Sequence, residues 1–115
     1  MNKLFFEGRL AAAPELASTA SGAKFAKFRL LRNEFAGMDG DNRMERTVEI
    51  QFTAWGRTAE MLAKNALTGD QLILIATIRN NNYERGGETV YSFNFEVLEV
   101  EFGAPGKAKR EKLAA

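Results

Sequence analysis

The sequence predicts an all-β fold with a single short helix. Three features indicate this class: several stretches alternate apolar and polar residues, helical spacing is confined to one segment, and glycine-containing turns separate the stretches. A chain of 115 residues has the length of one domain and can bury a core without disulfides. We therefore expect one folded domain over residues 1–102 and a short basic C-terminal tail over residues 103–115.

The first two predicted strands alternate regularly. Residues 2–10 place Phe6 on their apolar face, and residues 24–33 place Phe28 on theirs. Two glycines and several acidic side chains interrupt the pattern over residues 34–46. That composition indicates a long polar hairpin loop.

The third strand and the helix follow. Residues 47–55 form a strand with Phe52 directed inward, so Trp55 lies on the opposite face. Apolar residues recur every three or four positions over residues 57–67, which predicts a helix, and Gly69 suits its C-terminal cap.

Two more strands complete the fold, over residues 71–79 and 90–102. Gly86-Gly87 between them favours a tight hairpin turn, and Phe93 and Phe95 are expected on the apolar face of the last strand. Five strands with one helix between the third and fourth are the element order of the five-stranded OB-fold barrel.

The composition argues against catalysis. The chain contains no histidine and no cysteine, which removes the commonest general base and the usual zinc ligands. No apolar stretch has the length of a signal peptide's core or of a membrane helix. We expect a cytoplasmic protein that is not an enzyme, needs no cofactor or metal and has no membrane partner.

The net charge of +1 is unevenly distributed. Residues 103–115 carry a formal charge of +3, and the remainder carries −2. The predicted domain is therefore not basic as a whole, so any nucleic-acid surface depends on the local placement of its cations.

Three aromatic residues fall outside the predicted core: Phe35 in the polar loop, Trp55 on the outer face of its strand, and Tyr83 before the glycine turn. Exposed aromatic side chains commonly lie over the edge of a core, and periodicity alone favours that interpretation. The alternative is a platform on which nucleic-acid bases stack.

Basic residues lie close to these aromatics in the sequence: Lys27, Arg29, Arg32, Arg57 and Arg79. A row of outward charges is usually a solvated face. Cations beside stacking rings, however, are how non-specific binders of single strands are built.

Several motifs, in order and with fitting spacing, resemble those of the bacterial single-stranded-DNA-binding proteins of the SSB type over residues 2–102. The motifs are Asn2-Lys3, Gly8-Arg9-Leu10, Pro14-Glu15-Leu16, Ala54-Trp55-Gly56-Arg57, Gly69-Asp70, and the stretch from Ile78-Arg79 to Tyr83. The resemblance implies binding of single-stranded DNA with little sequence preference, in replication, recombination or repair. It also implies a homotetramer, or failing that a homodimer.

Carried over residue by residue, the resemblance assigns base stacking to Phe35, Trp55 and Tyr83, and phosphate contacts to Arg57 and Arg79. Glu49 stands where the family has a further aromatic residue, and residues 80–82 are asparagines where cations are usual. We therefore expect weaker and less salt-dependent binding than in a typical member.

The C-terminus departs from the family pattern, because residues 107–115 are basic where members end in an acidic tip that recruits replication proteins. Recruitment of that kind is in doubt, and the basic tail either contacts phosphates or only aids solubility. Two alternative functions stay open: a primosomal accessory OB protein, and a protein-interaction OB domain with weak DNA binding.

Overall fold

A computed structural model describes residues 1–114 of the chain. Its elements in chain order are β1 (Leu4–Leu10), β2 (Glu15–Ser18), β3 (Lys24–Asp39), β4 (Asn42–Trp55), α1 (Gly56–Asn65), β5 (Gln71–Asn80), β6 (Tyr83–Arg85), β7 (Glu88–Val90), β8 (Phe93–Phe102) and α2 (Lys107–Ala114).

The main sheet closes into a barrel. Its strand order is β1-β5-β8-β4-β3-β2, and a second pairing of β1 with β3 closes five of these strands into a ring, with β2 attached to the edge of β3. All ladders in it are antiparallel except the short parallel one between β4 and β8. Since α1 connects β4 to β5, the structure confirms the predicted barrel with its single internal helix.

Phe52 lies at the centre of the barrel core and is fully buried. Its ring centroid is 5.8 Å from those of Phe6 and Phe28 and 6.1 Å from that of Phe95. These four rings come from β1, β3, β4 and β8. Each strand directs its inward-facing ring to the same place, and together they form one aromatic cluster.

Gly8 allows β1 to pair with two strands. Around this residue β1 leaves β5 and joins β3. A Cβ atom at position 8 would lie 2.8 Å from the carbonyl oxygen of Leu31. A residue without a side chain is therefore required where the barrel closes.

The predicted loop over residues 34–46 is wrong. β3 and β4 continue through it as a long hairpin, with Phe35 paired to Glu45 and a bulge at Gly37, where φ is +114°. The polar composition was misleading because both faces of this arm are exposed to solvent. Backbone pairing there needs no apolar face.

The predicted last strand over residues 90–102 is also wrong in its first residues. Val90 ends the small β6-β7 hairpin, and the main strand β8 begins at Phe93 after a break at Tyr91 and Ser92. Phe93 is 57% exposed, which contradicts its expected place in the core, because the barrel ends before its ring is covered. The edge strand β2 was not predicted.

The segment after β8 is attached to the barrel at Gly103, Gly106 and Lys109, whereas residues 110–114 are exposed. The backbone N–H of Gly106 donates to Oδ1 of Asp70 at 2.9 Å, and Lys109 Nζ lies 2.8 Å from Oδ2 of the same carboxylate. Within residues 1–114, no helix has the length and apolar character to cross a membrane.

Candidate nucleic-acid interface

The outer face of β3 and β4 carries an aromatic pair at one end. The strand register sets Phe25 opposite Trp55, and their ring centroids are 5.4 Å apart with the planes tilted by 43°. Trp55 is 43% exposed. An indole braced on one side by a second ring and open on the other can accept a stacked base.

Cations continue along the same face. Lys27 pairs with Thr53 across the ladder, and Arg29 pairs with Gln51. In an antiparallel ladder, directly opposed residues point to the same side. Lys27 and Arg29 therefore follow the Phe25–Trp55 pair at two-residue steps along the outer face of β3.

Arg79 lies on the same outer face but comes from β5, on the far side of β8. Thr53 is in register with Glu96 on β8, and Glu96 is in register with Thr77 on β5, two residues before Arg79. Arg79 Nε donates to Oε2 of Glu96 at 3.1 Å. The topology thus brings Lys27, Arg29 and Arg79 onto one outward face.

Acidic partners reduce the charge of that face. The Arg29 guanidinium forms an ion pair with Glu49, and Arg79 forms one with Glu96. In the described part of the chain, neither Lys27 nor Arg57 has an acidic group within 4.0 Å. Arg57 lies in the first turn of α1, two residues beyond Trp55. Lys27 and Arg57 are therefore available to phosphate without breaking an ion pair.

Phe35 lies far from Trp55 along the β3-β4 hairpin. It is 54% exposed, and the guanidinium carbon of Arg43 lies 4.7 Å from its ring centroid. Ten residues of strand separate Phe35 from Phe25, which corresponds to roughly 33 Å at the usual rise. The two aromatic positions can contact one strand of DNA only at well-separated nucleotides.

Tyr83 lies on a separate projection. It begins β6 and pairs with Val90 in the two-stranded β6-β7 hairpin, where its side chain is 50% exposed. This hairpin leaves the barrel at the end of β5, just beyond Arg79. Tyr83 and Phe35 are thus carried by two different arms.

Arg32 is not brought to the Trp55 face. Its side chain forms an ion pair with Glu7 of β1, near the place where β1 and β3 close the barrel. Its position in β3 alternates with those of Lys27 and Arg29, so it points to the other side of the strand. Arg32 is therefore separated from Lys27, Arg29 and Arg79, just as Phe35 and Tyr83 are separated from Trp55.

A groove between β4 and β8 extends the outer face. Residues lining it include Lys27, Glu49, Gln51, Asn81 and Phe93. It opens because β4 and β8 pair over two residue pairs only, beginning at Phe52 and Phe95. We call this feature the β4–β8 groove.

Sequence reasoning missed two aromatic residues of this surface as candidates, Phe25 and Phe93. Phe25 could have been found, because it shares the outer parity of Lys27 and Arg29. Phe93 has the parity of the core residue Phe95, so nothing in the alternation distinguishes them. No group of three or more acidic side chains in residues 1–114 could hold a metal ion.

The arrangement can bind an extended, anionic, aromatic polymer: exposed rings for its bases and nearby cations for its phosphates. The barrel and this surface define an OB-fold protein of the single-strand-binding class.

Comparison with known proteins gives the family. The model of the Single-strand binding protein family matches residues 1–103, and the chain belongs to that family. It is 30% identical over 104 residues to Single-stranded DNA-binding protein 2 of Streptococcus agalactiae, covering 85% of this chain and 77% of that protein. It is 34% identical over 106 residues to the Single-stranded DNA-binding protein of Enterococcus faecalis, covering 86% of this chain and 55% of that protein.

A solved structure supports the same fold. Plasmodium falciparum SSB in complex with ssDNA matches with a TM-score of 0.75 at 16% identity, covering 90% of this chain and 96% of that chain. Membership of the family makes this protein a non-enzymatic single-stranded-DNA-binding protein, of a kind that acts in replication and repair. The expected family and function are confirmed, whereas the individual site residues stay predictions.

Proposed function

We propose that the protein covers single-stranded DNA with little sequence preference, using the outer face of β3 and β4 as its main contact. Stacking is assigned to Trp55, Phe35 and Tyr83, and phosphate contacts to Arg57, Arg79, Lys27 and Arg29. Arg32, which is paired with Glu7 away from this face, would be a separate phosphate contact where β1 and β3 close the barrel. The observation that carries this assignment is the half-exposed Trp55 ring, braced by Phe25 at 5.4 Å, with Lys27 two residues beyond Phe25 on the same face of β3.

The ion pairs on this face support modest affinity. Arg29 and Arg79 already hold carboxylates, so binding phosphate requires them to give up Glu49 and Glu96. Each phosphate contact on a single strand adds about 0.7 to the slope of log K against log salt. We expect a shallow slope, which a salt titration measures.

Tryptophan fluorescence tests the proposal directly, because Trp55 is the sole tryptophan of the chain. Titration with a 35-nucleotide oligo-dT should quench it to saturation. Trp55→Ala should weaken binding, followed by anisotropy of labelled oligo-dT, by about 1–3 kcal/mol, the usual contribution of one stacked base. Trp55→Phe is the matched control and should keep most of the affinity.

A second candidate function is supported by the same ion pairs. A face on which Arg29 and Arg79 are neutralised by Glu49 and Glu96 also suits an accessory OB protein that docks other proteins and binds DNA weakly. Under that function Trp55→Ala leaves the affinity for oligo-dT unchanged, and quenching stays weak at all accessible concentrations. The titration therefore separates the two.

We further propose that copies of the chain associate, as a tetramer or at least a dimer, through the outer side of β1, β5 and β8. Phe5 is 67% exposed and is paired in register with Ile75, and Ile73 is also exposed. Clustered apolar side chains on a sheet face favour contact with another protein surface. Ile73→Glu should lower the solution mass measured by light scattering, whereas Leu113→Glu, on exposed α2, should not.

The site of action follows from the ligand. A protein that binds single-stranded DNA is expected where that DNA is exposed, and we propose a cytoplasmic, nucleoid-associated location. Imaging of a fluorescent fusion tests it, and an even distribution after replication arrest would argue against it.

A further inference from the structure

We propose that Phe93 is an additional base-stacking residue, which receives a base of single-stranded DNA in the β4–β8 groove. The inference rests on the proposed function and adds a contact to it. Phe93 is 57% exposed and lines the groove together with Lys27 and Gln51. A large aromatic side chain left open beside a cation is the combination that binds a base and its phosphate.

The position of Phe93 is held by backbone contacts. The N–H of Asn81 donates to the carbonyl of Ser92 at 2.8 Å, and the N–H of Ser92 donates to Oδ1 of Asn82 at 3.2 Å. Phe93 itself is paired with Asn80 at the first position of the β5-β8 ladder. The ring therefore projects from a braced strand end, which lowers the entropy lost when a base is bound.

One of these contacts also gives an asparagine of positions 80–82 a role. The three asparagines replace cations that the family pattern leads one to expect, and the side chain of Asn82 instead holds the residue before β8, whereas Asn81 contributes only its backbone N–H. The same segment thus loses phosphate contacts and holds an aromatic ring in place.

The charge inside the groove favours a nucleic-acid occupant. Lys27 reaches the groove, and none of the carboxylates in residues 1–114 lies within 4.0 Å of its ammonium group. Glu49, which also lines the groove, is neutralised by Arg29. The remaining wall contributes neutral polar groups from Gln51 and Thr53.

Phe93 also compensates for a missing ring on the facing strand. The middle of β4 presents Glu49 and Gln51 at its outer positions, so that wall cannot stack a base. Phe95, two residues after Phe93, is committed to the core through its contact with Phe52. Phe93 is consequently the ring that the groove itself offers.

Binding of oligo-dT by a set of variants tests the inference. Phe93→Ala should raise the dissociation constant roughly 5- to 150-fold, the range expected for one lost stacking contact. Phe93→Tyr should restore wild-type affinity, whereas Phe93→Leu, apolar but without a π-face, should not. Tyr91→Ala is the matched control, because Tyr91 is exposed two residues earlier and does not line the groove, and it should bind as wild type does.

A second measurement locates the contact without mutation. Oligo-dT carrying 5-iodouracil, irradiated in the complex, should form an adduct on the peptide that contains Phe93, identified by mass spectrometry. Wild-type affinity for Phe93→Ala and Phe93→Leu, with no adduct on that peptide, would overturn the inference while saturable Trp55 quenching leaves the proposed function standing. Absence of quenching in the wild type would instead overturn the proposed function and this inference together.

Discussion

Lys109 and Asp70 form an ion pair that joins the C-terminal helix to the barrel. The ammonium nitrogen lies 2.8 Å from a carboxylate oxygen that is almost completely buried. The same carboxylate accepts the backbone N–H groups of Leu67 and Gly106, so it also links the end of α1 to the start of α2. Lys109 is thereby engaged in the fold, which removes it from the set of freely available tail cations.

Lys109→Ala should destabilise the protein by about 1–3 kcal/mol, because a buried carboxylate loses one of its three partners. Denaturation in urea measures the change in the free energy of unfolding. Lys112→Ala is the control: it removes the same charge from an exposed position of α2 and should change stability by less than about 0.5 kcal/mol. Equal effects of the two substitutions would contradict the structural role of Lys109.

Asp70 should make stability depend on pH in the acid range. Burial raises the pKa of this carboxyl, but hydrogen bonds from Lys109, Gly106 and Leu67 and the charge of Lys109 outweigh burial and lower the pKa below its ordinary 3.8. The stabilisation is therefore complete above the unfolded pKa and is lost as the pH falls through the lower folded pKa.

Unfolding free energies measured between neutral pH and the acid range check this dependence. Asp70→Asn should flatten the decline below the ordinary carboxyl pKa, whereas Asp41→Asn, in the exposed β3-β4 turn, should leave its shape unchanged. A wild-type curve without any loss of stability in that range would contradict the assignment.

Phe52→Ala should destabilise the barrel by about 3–5 kcal/mol, because it opens a cavity where three other rings meet. Thermal and urea unfolding both report this loss. Tyr91→Ala removes a ring from an exposed position and should change the unfolding free energy by no more than about 0.5 kcal/mol. Similar losses at both positions would show that Phe52 is not the centre of the core.

Glu49→Gln should strengthen DNA binding. The substitution removes a negative charge from the β4–β8 groove and releases Arg29 from its ion pair, so one more cation can meet phosphate. The salt slope should steepen by about 0.7, the value of one contact on a single strand. Glu60→Gln on exposed α1 makes the same change of charge outside the proposed contact and should leave the slope as it is.

Much of the fold could be predicted from local patterns. Alternation placed Phe28 and Phe52 in the core, helical spacing placed α1 between the right strands, and Gly86-Gly87 marked the β6-β7 turn. Each of these features depends on neighbours in the chain or on a strand with one buried face. The same reasoning failed for the β3-β4 arm, where both faces are solvated and the alternation has no apolar side to reveal.

The candidate site was likewise only partly predictable from the sequence. The alternation of side chains along each strand identified Trp55, Lys27 and Arg29 as facing outward, and the pairing of β3 with β4 aligned them on one face. Parity could not place Phe93, because its exposure depends on where β4 and β8 separate. Nor could it assign the acidic partners of Arg29, Arg32 and Arg79, which lie 17 to 25 residues away along the chain.

By itself the sequence determined an OB-fold chain of the single-strand-binding family with three aromatic residues outside its core. The tertiary structure decided which cations are held in ion pairs and that the basic C-terminal segment is attached to Asp70. It also decided that Phe93 is exposed, although its position in the strand alternation is that of a core residue. The physical reason is the distance along the chain over which each kind of interaction acts. Side-chain periodicity is local, whereas ion pairing and burial at the end of a barrel depend on strands brought together by closure of the sheet.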